Sequence, residues 1–327
     1  MRIKLLIIFV FACVLLCGCS GHKEKVYHVG ILSGLEYVAD IADGFKAGMA
    51  ELGYVEGKNI TYDLQRTDFD MAEYKYILDR FIKDKVDLIF VFPTEASLEA
   101  KAAVFGTNIP VVFSFAQVEG VGLIDSVRHP GNNITGVRYP GPDIALKRFE
   151  IMLKLVPNAR RICVPYQRDY PIISIQLEAL YPVAAANGVI LLELPASDAG
   201  ELEDEFKKIS GSSEAGIDAI LIIIEPLCVN AEAFLAISKF AAGRGIPVGG
   251  ALISADGYES LFGVNVNNTA VGAQAAPLAD KIFRGMPAGD IPVVSSESYF
   301  QLNYKAAKAL GFEIPEDLLS TANEVIR

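Results

Sequence analysis

Residues 26–59 read VYHVGILSGLEYVADIADGFKAGMAELGYVEGKN, two runs rich in β-branched and aromatic residues around an amphipathic segment. The two runs predict strands near 26–32 and 59–65. Between them, apolar residues recur at spacings of three and four, which predicts a helix with one core-facing stripe. The stripe consists of Val38, Ile41, Phe45, Met49 and Leu52. Gly53 follows at the position of a left-handed helix-ending residue, so this stretch predicts one β-α-β unit of a parallel sheet.

The same alternation of strands and helices runs through the rest of the chain. It predicts strands near 86–92, 111–115 and 134–139, and a break at Pro140-Gly141-Pro142. A new helix with the stripe Leu146, Phe149, Leu153 and Val156 then starts the pattern again. Further strands are predicted near 161–165, 189–194, 219–224 and 247–250, with helices near 172–187, 202–209 and 229–242. The fold class is therefore α/β, with two lobes of parallel sheet flanked by helices and a cleft between them.

Composition and charge narrow the function classes. The 327 residues are 52% hydrophobic and 21% charged, which favours a folded chain of about two domains. The formal net charge is −11, and no cluster of Lys and Arg offsets it. Binding to a phosphate backbone needs such a cluster, so nucleic acid is excluded as the main partner.

The N-terminus is typical of an exported protein. Arg2 and Lys4 precede an unbroken apolar run over 5–16, which is too short to span a bilayer, so residues 1–18 are predicted to be a signal peptide. The run ends in Leu16-Cys17-Gly18-Cys19, which resembles the lipobox of bacterial lipoproteins. Cys19 is then the lipidation site and the first mature residue, and 19–25 form a lipid-anchored tether; simple secretion is the alternative. Two or three acyl chains hold a protein on a membrane stably.

The remaining reactive side chains favour binding over catalysis. Cys163 and Cys228 flank apolar runs and are expected to be buried free thiols, with a disulfide as the less favoured alternative. The mature chain has His22, His28 and His129 only, scattered over a tether, a strand and a loop. We therefore expect no metal site, no cofactor and no catalytic residue. The stretch from Gly53 to Lys58 is one residue too short for a phosphate-binding Walker A loop.

Several blocks of sequence carry a family resemblance. The two most specific are LGYVEGKN at 52–59 and HPGNNITGV at 129–137; LNYKAAKALG at 302–311 agrees with them. Together they resemble the ABC transporter substrate-binding lipoproteins of the tryptophan/tyrosine-transporter type. The resemblance implies a type I periplasmic-binding-protein fold, in which two Rossmann-like lobes joined by hinge strands close on a small solute.

The same resemblance sets expectations for domains and partners. Lobe 1 would comprise 26–137 plus about 264–292, and lobe 2 would comprise 138–263 plus about 293–327, with 134–139 as the first crossing and 261–266 as the return crossing. A helix over 268–284 would belong to lobe 1.

The expected partners are a small solute and the permease and ATPase of an ABC importer, with the protein monomeric, outside the cytoplasm and held on the membrane by its lipid. A sensor that presents a bound solute to a membrane receptor is the alternative, and a cleft enzyme is less favoured.

Candidate ligand-binding residues follow from topology, because loops after parallel strands meet at one edge of the sheet. They are Ser33, Glu36, Thr94, Glu95, Phe115, Gln117, Tyr139, Tyr166, Asp169, Glu225 and Ala251. Thr94 precedes a helix predicted over 95–105, whose free N–H groups suit a carboxylate. Glu225 follows an apolar strand and needs a cation, either a ligand ammonium or a structural partner such as Arg168.

The aromatic residues near strand ends suggest the ligand. Phe92, Phe113, Phe115, Tyr139, Tyr166 and Tyr170 are candidate cleft walls. With them, the ligand would be a small zwitterion with an aromatic or apolar body, and replacing Glu225 by Gln would weaken it while leaving the fold intact. Gln117-Val118-Glu119 stands where the family usually has Asp-Pro. The resemblance therefore does not fix the identity of the ligand.

Overall fold

The computed structural model describes residues 25–210 and 216–327. The predicted signal peptide, Cys19 and most of the tether lie outside the described residues. In chain order the strands are β1 (Tyr27–Ser33), β2 (Ile60–Arg66), β3 (Leu88–Phe92), β4 (Val111–Ala116), β5 (Ile134–Arg138), β6 (Arg161–Gln167), β7 (Ile190–Ala196), β8 (Ala219–Leu221), β9 (Val248–Gly249), β10 (Ser254–Ala255), β11 (Tyr258–Glu259), β12 (Phe262–Val266), β13 (Val294–Ser295), β14 (Ser298–Asn303) and β15 (Glu324–Ile326).

Helices connect most of these strands. In chain order they are α1 (Ile41–Glu51), α2 (Met71–Lys83), α3 (Thr94–Ala103), α4 (Gly141–Leu155), α5 (Ile173–Ala186), α6 (Ala199–Ser210), α7 (Ala231–Ala242), α8 (Asn268–Phe283), α9 (Tyr304–Ala309) and α10 (Glu316–Thr321). Every helix in the described part of the chain is too short or too polar to cross a lipid bilayer.

The first sheet consists of five strands from the N-terminal half and the later strand β13, and it is wholly parallel. Its strand order over the described residues is β13-β5-β4-β3-β1-β2. Ser33, the last residue of β1, pairs with Arg66 at the end of β2 and with Phe92 at the end of β3. The carboxyl ends of three adjacent strands are therefore level, and the loops that follow them emerge along one edge.

The second sheet repeats this arrangement after the break at Pro140. Its order is β7-β6-β8-β9, again parallel over the described residues. A smaller sheet, β12-β14-β15, is attached to it through a bridge between Gly250 and Gly263. The expectation of an α/β fold built from two parallel sheets is confirmed.

Sheet membership also indicates where the chain crosses between the halves. The crossings follow β5, β12 and β13, since α8 packs on α1 and β13 pairs with β5. On this basis we propose lobe 1 as residues 25–138 with 268–295, and lobe 2 as 139–266 with 298–327. These boundaries lie within a few residues of the predicted ones, and β13 adds a short strand to lobe 1 that the sequence pattern did not reveal.

Local differences from the predicted elements have identifiable causes. Leu52, expected on the buried stripe of α1, is 39% exposed because it caps the helix end before Gly53, which has φ +92° as predicted. The strand predicted over 219–224 ends at Leu221. Beyond it, the Ile224 backbone exchanges hydrogen bonds with the Gln176 side chain instead of with a neighbouring strand.

Cys163 and Cys228 are buried free thiols, as expected.

Helix α4 is rotated about its axis relative to the prediction. The predicted stripe of Leu146, Leu153 and Val156 is only partly buried. The buried face instead carries Ile144, Ala145, Arg148, Phe149, Ile151, Met152 and Leu155. An arginine therefore lies on the face of the helix that packs into the protein.

Helices α1 and α8 approach so closely that only glycine fits at their contact. A Cβ atom added at Gly44 would lie 2.0 Å from the carbonyl oxygen of Thr269, and one added at Gly272 would lie 2.0 Å from that of Ile41. Because α8 follows the return crossing, this contact fixes the returning segment on lobe 1.

Replacing Gly44 by Ala should lower the free energy of unfolding by roughly 1–3 kcal/mol, because the methyl group overpacks a backbone contact. Urea denaturation of the two proteins measures the difference. Gly243→Ala is the matched control, since Gly243 has φ −62° and a Cβ there would have no neighbour nearer than 3.8 Å. Equal stability of Gly44→Ala and the wild type would contradict the close contact.

Candidate functional site

A cavity of about 600 Å³ lies between the two lobes, where the carboxyl ends of both parallel sheets face each other. Lobe 1 contributes the loops after β1, β2, β3 and β4, and lobe 2 contributes loops after β6, β8 and β9 together with α4. Residues of the crossing segments, among them Tyr139 and Asn265, form the side where the lobes join. A cavity of this size accommodates a small solute.

Seven of the eleven predicted site residues line this cavity, and four do not. The seven are Glu36, Thr94, Phe115, Gln117, Tyr139, Glu225 and Ala251. Ser33 is fully buried at the end of β1, and Asp169 is exposed in a left-handed turn. Tyr166 points to β7, where its hydroxyl donates to Glu193 at 2.8 Å. Glu95 follows Thr94 in the first turn of α3 and does not line the cavity.

Aromatic rings form one wall of the cavity. The rings of Phe115 and Tyr139 have centroids 4.6 Å apart and are tilted by 54°, and Tyr170 of lobe 2 also lines the cavity. Of the other predicted wall residues, Phe92 and Phe113 are fully buried in the core. Sequence reasoning missed two aromatic lining residues, Tyr37 and Phe69, because neither directly follows a predicted strand.

Thr94 lies in the first turn of α3 instead of at its cap, which is Pro93. Its hydroxyl oxygen accepts a hydrogen bond from the Gln117 backbone N–H at 3.1 Å, and this bond ties the loops after β3 and β4 together. The Gln117 side chain is 1% exposed, and its Oε1 atom has no partner in the described part of the chain. This oxygen is therefore a hydrogen-bond acceptor that the described protein groups leave unsatisfied.

Glu95 is a buried carboxylate of lobe 1 near Tyr170 of lobe 2. Neither of its oxygens has a hydrogen-bond partner within bonding distance among the described residues. Burial raises the pKa of Glu95, and the nearby Tyr170 hydroxyl partly opposes this shift. Glu95 and Tyr170 therefore mark a point where the two lobes approach each other.

Glu225 is almost fully buried and is held by backbone N–H groups. Its Oε1 accepts from Cys228 at 2.6 Å, and its Oε2 accepts from Leu227 at 2.8 Å and from Gln167 at 3.1 Å. Burial raises the pKa of Glu225, and these hydrogen bonds oppose the shift. The suggested structural partner is wrong, because Arg168 pairs with Glu201.

Arg148 is a lining residue that sequence reasoning did not select. Its side chain is 2% exposed; Nε donates to the Val264 carbonyl at 2.9 Å and Nη1 donates to the Ile222 carbonyl at 3.0 Å. Burial lowers the pKa of Arg148. The available signal was its spacing of four from both Ile144 and Met152, which puts it on the apolar face of α4.

The family model described as ABC transporter substrate binding protein matches residues 29–326. The chain belongs to this family. Among curated relatives of this substrate-binding protein is a tyrosine-binding protein of Clostridioides difficile (strain R20291), 28% identical over 334 residues and covering 95% of this chain and 92% of the relative.

Solved structures agree with the fold of this substrate-binding protein. An ABC domain from Streptococcus pneumonia in complex with L-Trp has a TM-score of 0.77 at 22% identity, over 92% of this chain and 100% of that one. A ligand-free, open substrate-binding protein with adhesive properties from Clostridium difficile has a TM-score of 0.73 at 26% identity, over 92% of this chain and 99% of that one. The type I periplasmic-binding-protein fold is confirmed.

Membership in the family settles the class of activity. The substrate-binding protein binds a small solute for an ABC transporter outside the cytoplasm, and it is not an enzyme. The described residues contain no group of three or more His, Cys, Asp or Glu side chains placed to hold a metal ion. The cavity between the lobes is the candidate site for the solute.

Replacing Glu225 by Gln should lower the free energy of unfolding by roughly 1–3 kcal/mol without ligand, contrary to the expectation of an intact fold. The amide nitrogen of Gln cannot accept, so at least one of the three backbone N–H donors loses its partner. Chemical denaturation measures the loss. The control is Glu178→Gln, because Glu178 is an exposed residue on the same lobe. Unchanged stability would show that Glu225 does not organise this loop.

Proposed function

We propose that this protein captures an aromatic amino acid, or a closely related zwitterion, in the cavity between its lobes and delivers it to the permease of an ABC importer. One observation carries the proposal: the cavity combines an aromatic wall with buried groups of both charges, Arg148 and Glu225. An aromatic zwitterion needs these three features together. The tyrosine-binding relative and the structural neighbour with bound L-Trp support the same ligand class.

The proposed contacts are the seven predicted residues that line the cavity, together with Tyr170. Phe115 and Tyr139, with Tyr170, would pack against the ring of the ligand, while Glu225 and the unpartnered Gln117 Oε1 would accept from its ammonium group. The carboxylate oxygens of Glu225 already accept three N–H bonds, so Gln117 shares the ammonium. Ser33, Glu95, Tyr166 and Asp169 lie outside the cavity lining and are not among the proposed contacts.

The proposed binding event closes the two lobes as near-rigid bodies about the crossing segments. The partners are the permease and the ATPase of the importer, and a monomer suffices because the whole cavity is built by one chain.

The proposed ligand class is tested by calorimetry with aromatic amino acids, sugars, nucleosides and small peptides. We expect L-tyrosine or L-tryptophan to bind, and Tyr170→Ala to weaken that binding about 10-fold or more, because a ring is removed from the wall. Tyr181→Ala is the matched control, since Tyr181 is exposed on the same lobe and bonds Glu193 instead. Binding of a sugar or nucleoside with no response to aromatic amino acids would overturn the proposed ligand.

We also propose that Cys19 carries the lipid that holds the mature protein on the membrane, on the basis of the charged start, the apolar run and the Leu16-Cys17-Gly18-Cys19 sequence. Cys19→Ser should release the protein from the membrane fraction, and intact mass should show acyl chains on the wild type only. Cys17→Ser, two residues upstream, is the control and should stay anchored. A Cys19→Ser protein that remains acylated would contradict this assignment.

A further inference from the structure

Arg148 is a buried cation without a direct counter-charge. No carboxylate oxygen in the described part of the chain lies within 4.0 Å of its guanidinium nitrogens, and its two described acceptors are the neutral carbonyls of Val264 and Ile222. A guanidinium has five N–H donors, so these two bonds leave three of them without a protein partner among the described residues. A buried charge in this condition is costly unless an anion joins it.

The acidic residues that line the same cavity are engaged elsewhere. Glu36 faces Arg66 at 3.9 Å, and Asp68 accepts from the Glu36 backbone N–H at 3.2 Å. Glu225, the acidic group that influences Arg148 electrostatically, is held by three backbone N–H groups. None of the three neutralises Arg148 by direct contact.

Two features suit Arg148 to bind an anion in the cavity. The guanidinium is fixed to two backbone positions, so little side-chain entropy is lost when a ligand binds. The neighbouring Asn265 also lines the cavity, and its Oδ1 already accepts from the Tyr139 hydroxyl and the Val266 N–H, which leaves its Nδ2 group to donate. A planar carboxylate is the anion that best matches such a set of donors.

We propose that Arg148 binds the carboxylate of the captured solute, with Asn265 as a second donor. This inference rests on the proposed capture of a solute in the cavity and adds a requirement that the solute carry a carboxylate. It replaces the sequence-based assignment of the carboxylate to the N-terminus of α3 at Thr94.

The experiment compares pairs of ligands that differ only in the carboxylate. Calorimetry on the wild-type mature protein uses L-tyrosine against tyramine and L-tryptophan against tryptamine. We expect the acid of each pair to bind roughly 10- to 100-fold more tightly than the amine. This comparison needs no variant, so a folding defect does not affect it.

Variants then assign the preference to Arg148. In Arg148→Met the acid and the amine should bind within about threefold of each other, whereas Arg148→Lys should keep part of the preference because it keeps the charge. Lys147→Met is the matched control, a neighbouring cation on α4 that bonds Ser298 and does not line the cavity. If Arg148 has a purely structural role, Arg148→Met should weaken the binding of the acid and of the amine equally and leave the ratio of their affinities unchanged.

The outcomes separate this inference from the proposed function. If an aromatic amino acid binds and its amine binds as tightly, or if Arg148→Met keeps the preference, the inference is wrong while the proposed function stands. If aromatic amino acids do not bind but another carboxylate does, and its amide binds at least 10-fold more weakly, the inference stands and the proposed ligand class is wrong. Binding of uncharged solutes alone, or of none of the compounds tested, overturns both.

Discussion

The hydrogen bond from the Tyr139 hydroxyl to Asn265 Oδ1, 2.9 Å long, joins the segment that enters lobe 2 to the strand that leads out of it. Both residues lie on crossing segments, and both line the cavity. Tyr139 also packs against the tilted ring of Phe115 of lobe 1, so the aromatic wall is positioned by the same residue that links the crossings. The side of the cavity where the lobes join and the connection between the lobes are therefore one structural unit.

Parallel topology determines which loops reach this unit. Because every strand in the two main sheets of the described residues points the same way within its sheet, the loops after those strands gather at facing edges. Thr94, Phe115, Glu225 and Ala251 line the cavity for this reason. The glycines of α1 and α8 make the arrangement possible, since their close contact returns the chain to lobe 1 after the crossing.

The sequence predicted some of the lining residues placed by topology, missed Tyr37 and Phe69 in the same loops, and missed the residues placed by packing. Strand periodicity and loop position were enough to select Thr94 and Glu225. They were not enough for Arg148, because the stripe of α4 was assigned to 146, 149 and 153, whereas the buried face runs through 144, 148 and 152. Asn265 lies inside a strand, so a rule based on loops after strands could not select it.

The hydrogen-bond partners of a buried polar residue could not be predicted from its position in the chain. Glu225 follows an apolar strand, and sequence reasoning correctly required a compensating group for its charge. The compensation comes from backbone N–H donors within its own loop and from β6, which depend on a local fold that periodicity does not describe. Arg168 instead turns outward to Glu201 on α6.

If the cleft closes on its solute as proposed, the unpaired cation Arg148 would affect selectivity as well as affinity. Closure around a neutral solute would remove water from Arg148 without supplying an anion, and a buried charge left unpaired costs several kcal/mol. A solute with a carboxylate avoids that cost, so the cleft would discriminate chiefly by penalising ligands that lack one. The aromatic wall contributes little to this discrimination, because apolar contacts reject an ill-matched ligand weakly, whereas an unsatisfied polar group rejects it strongly.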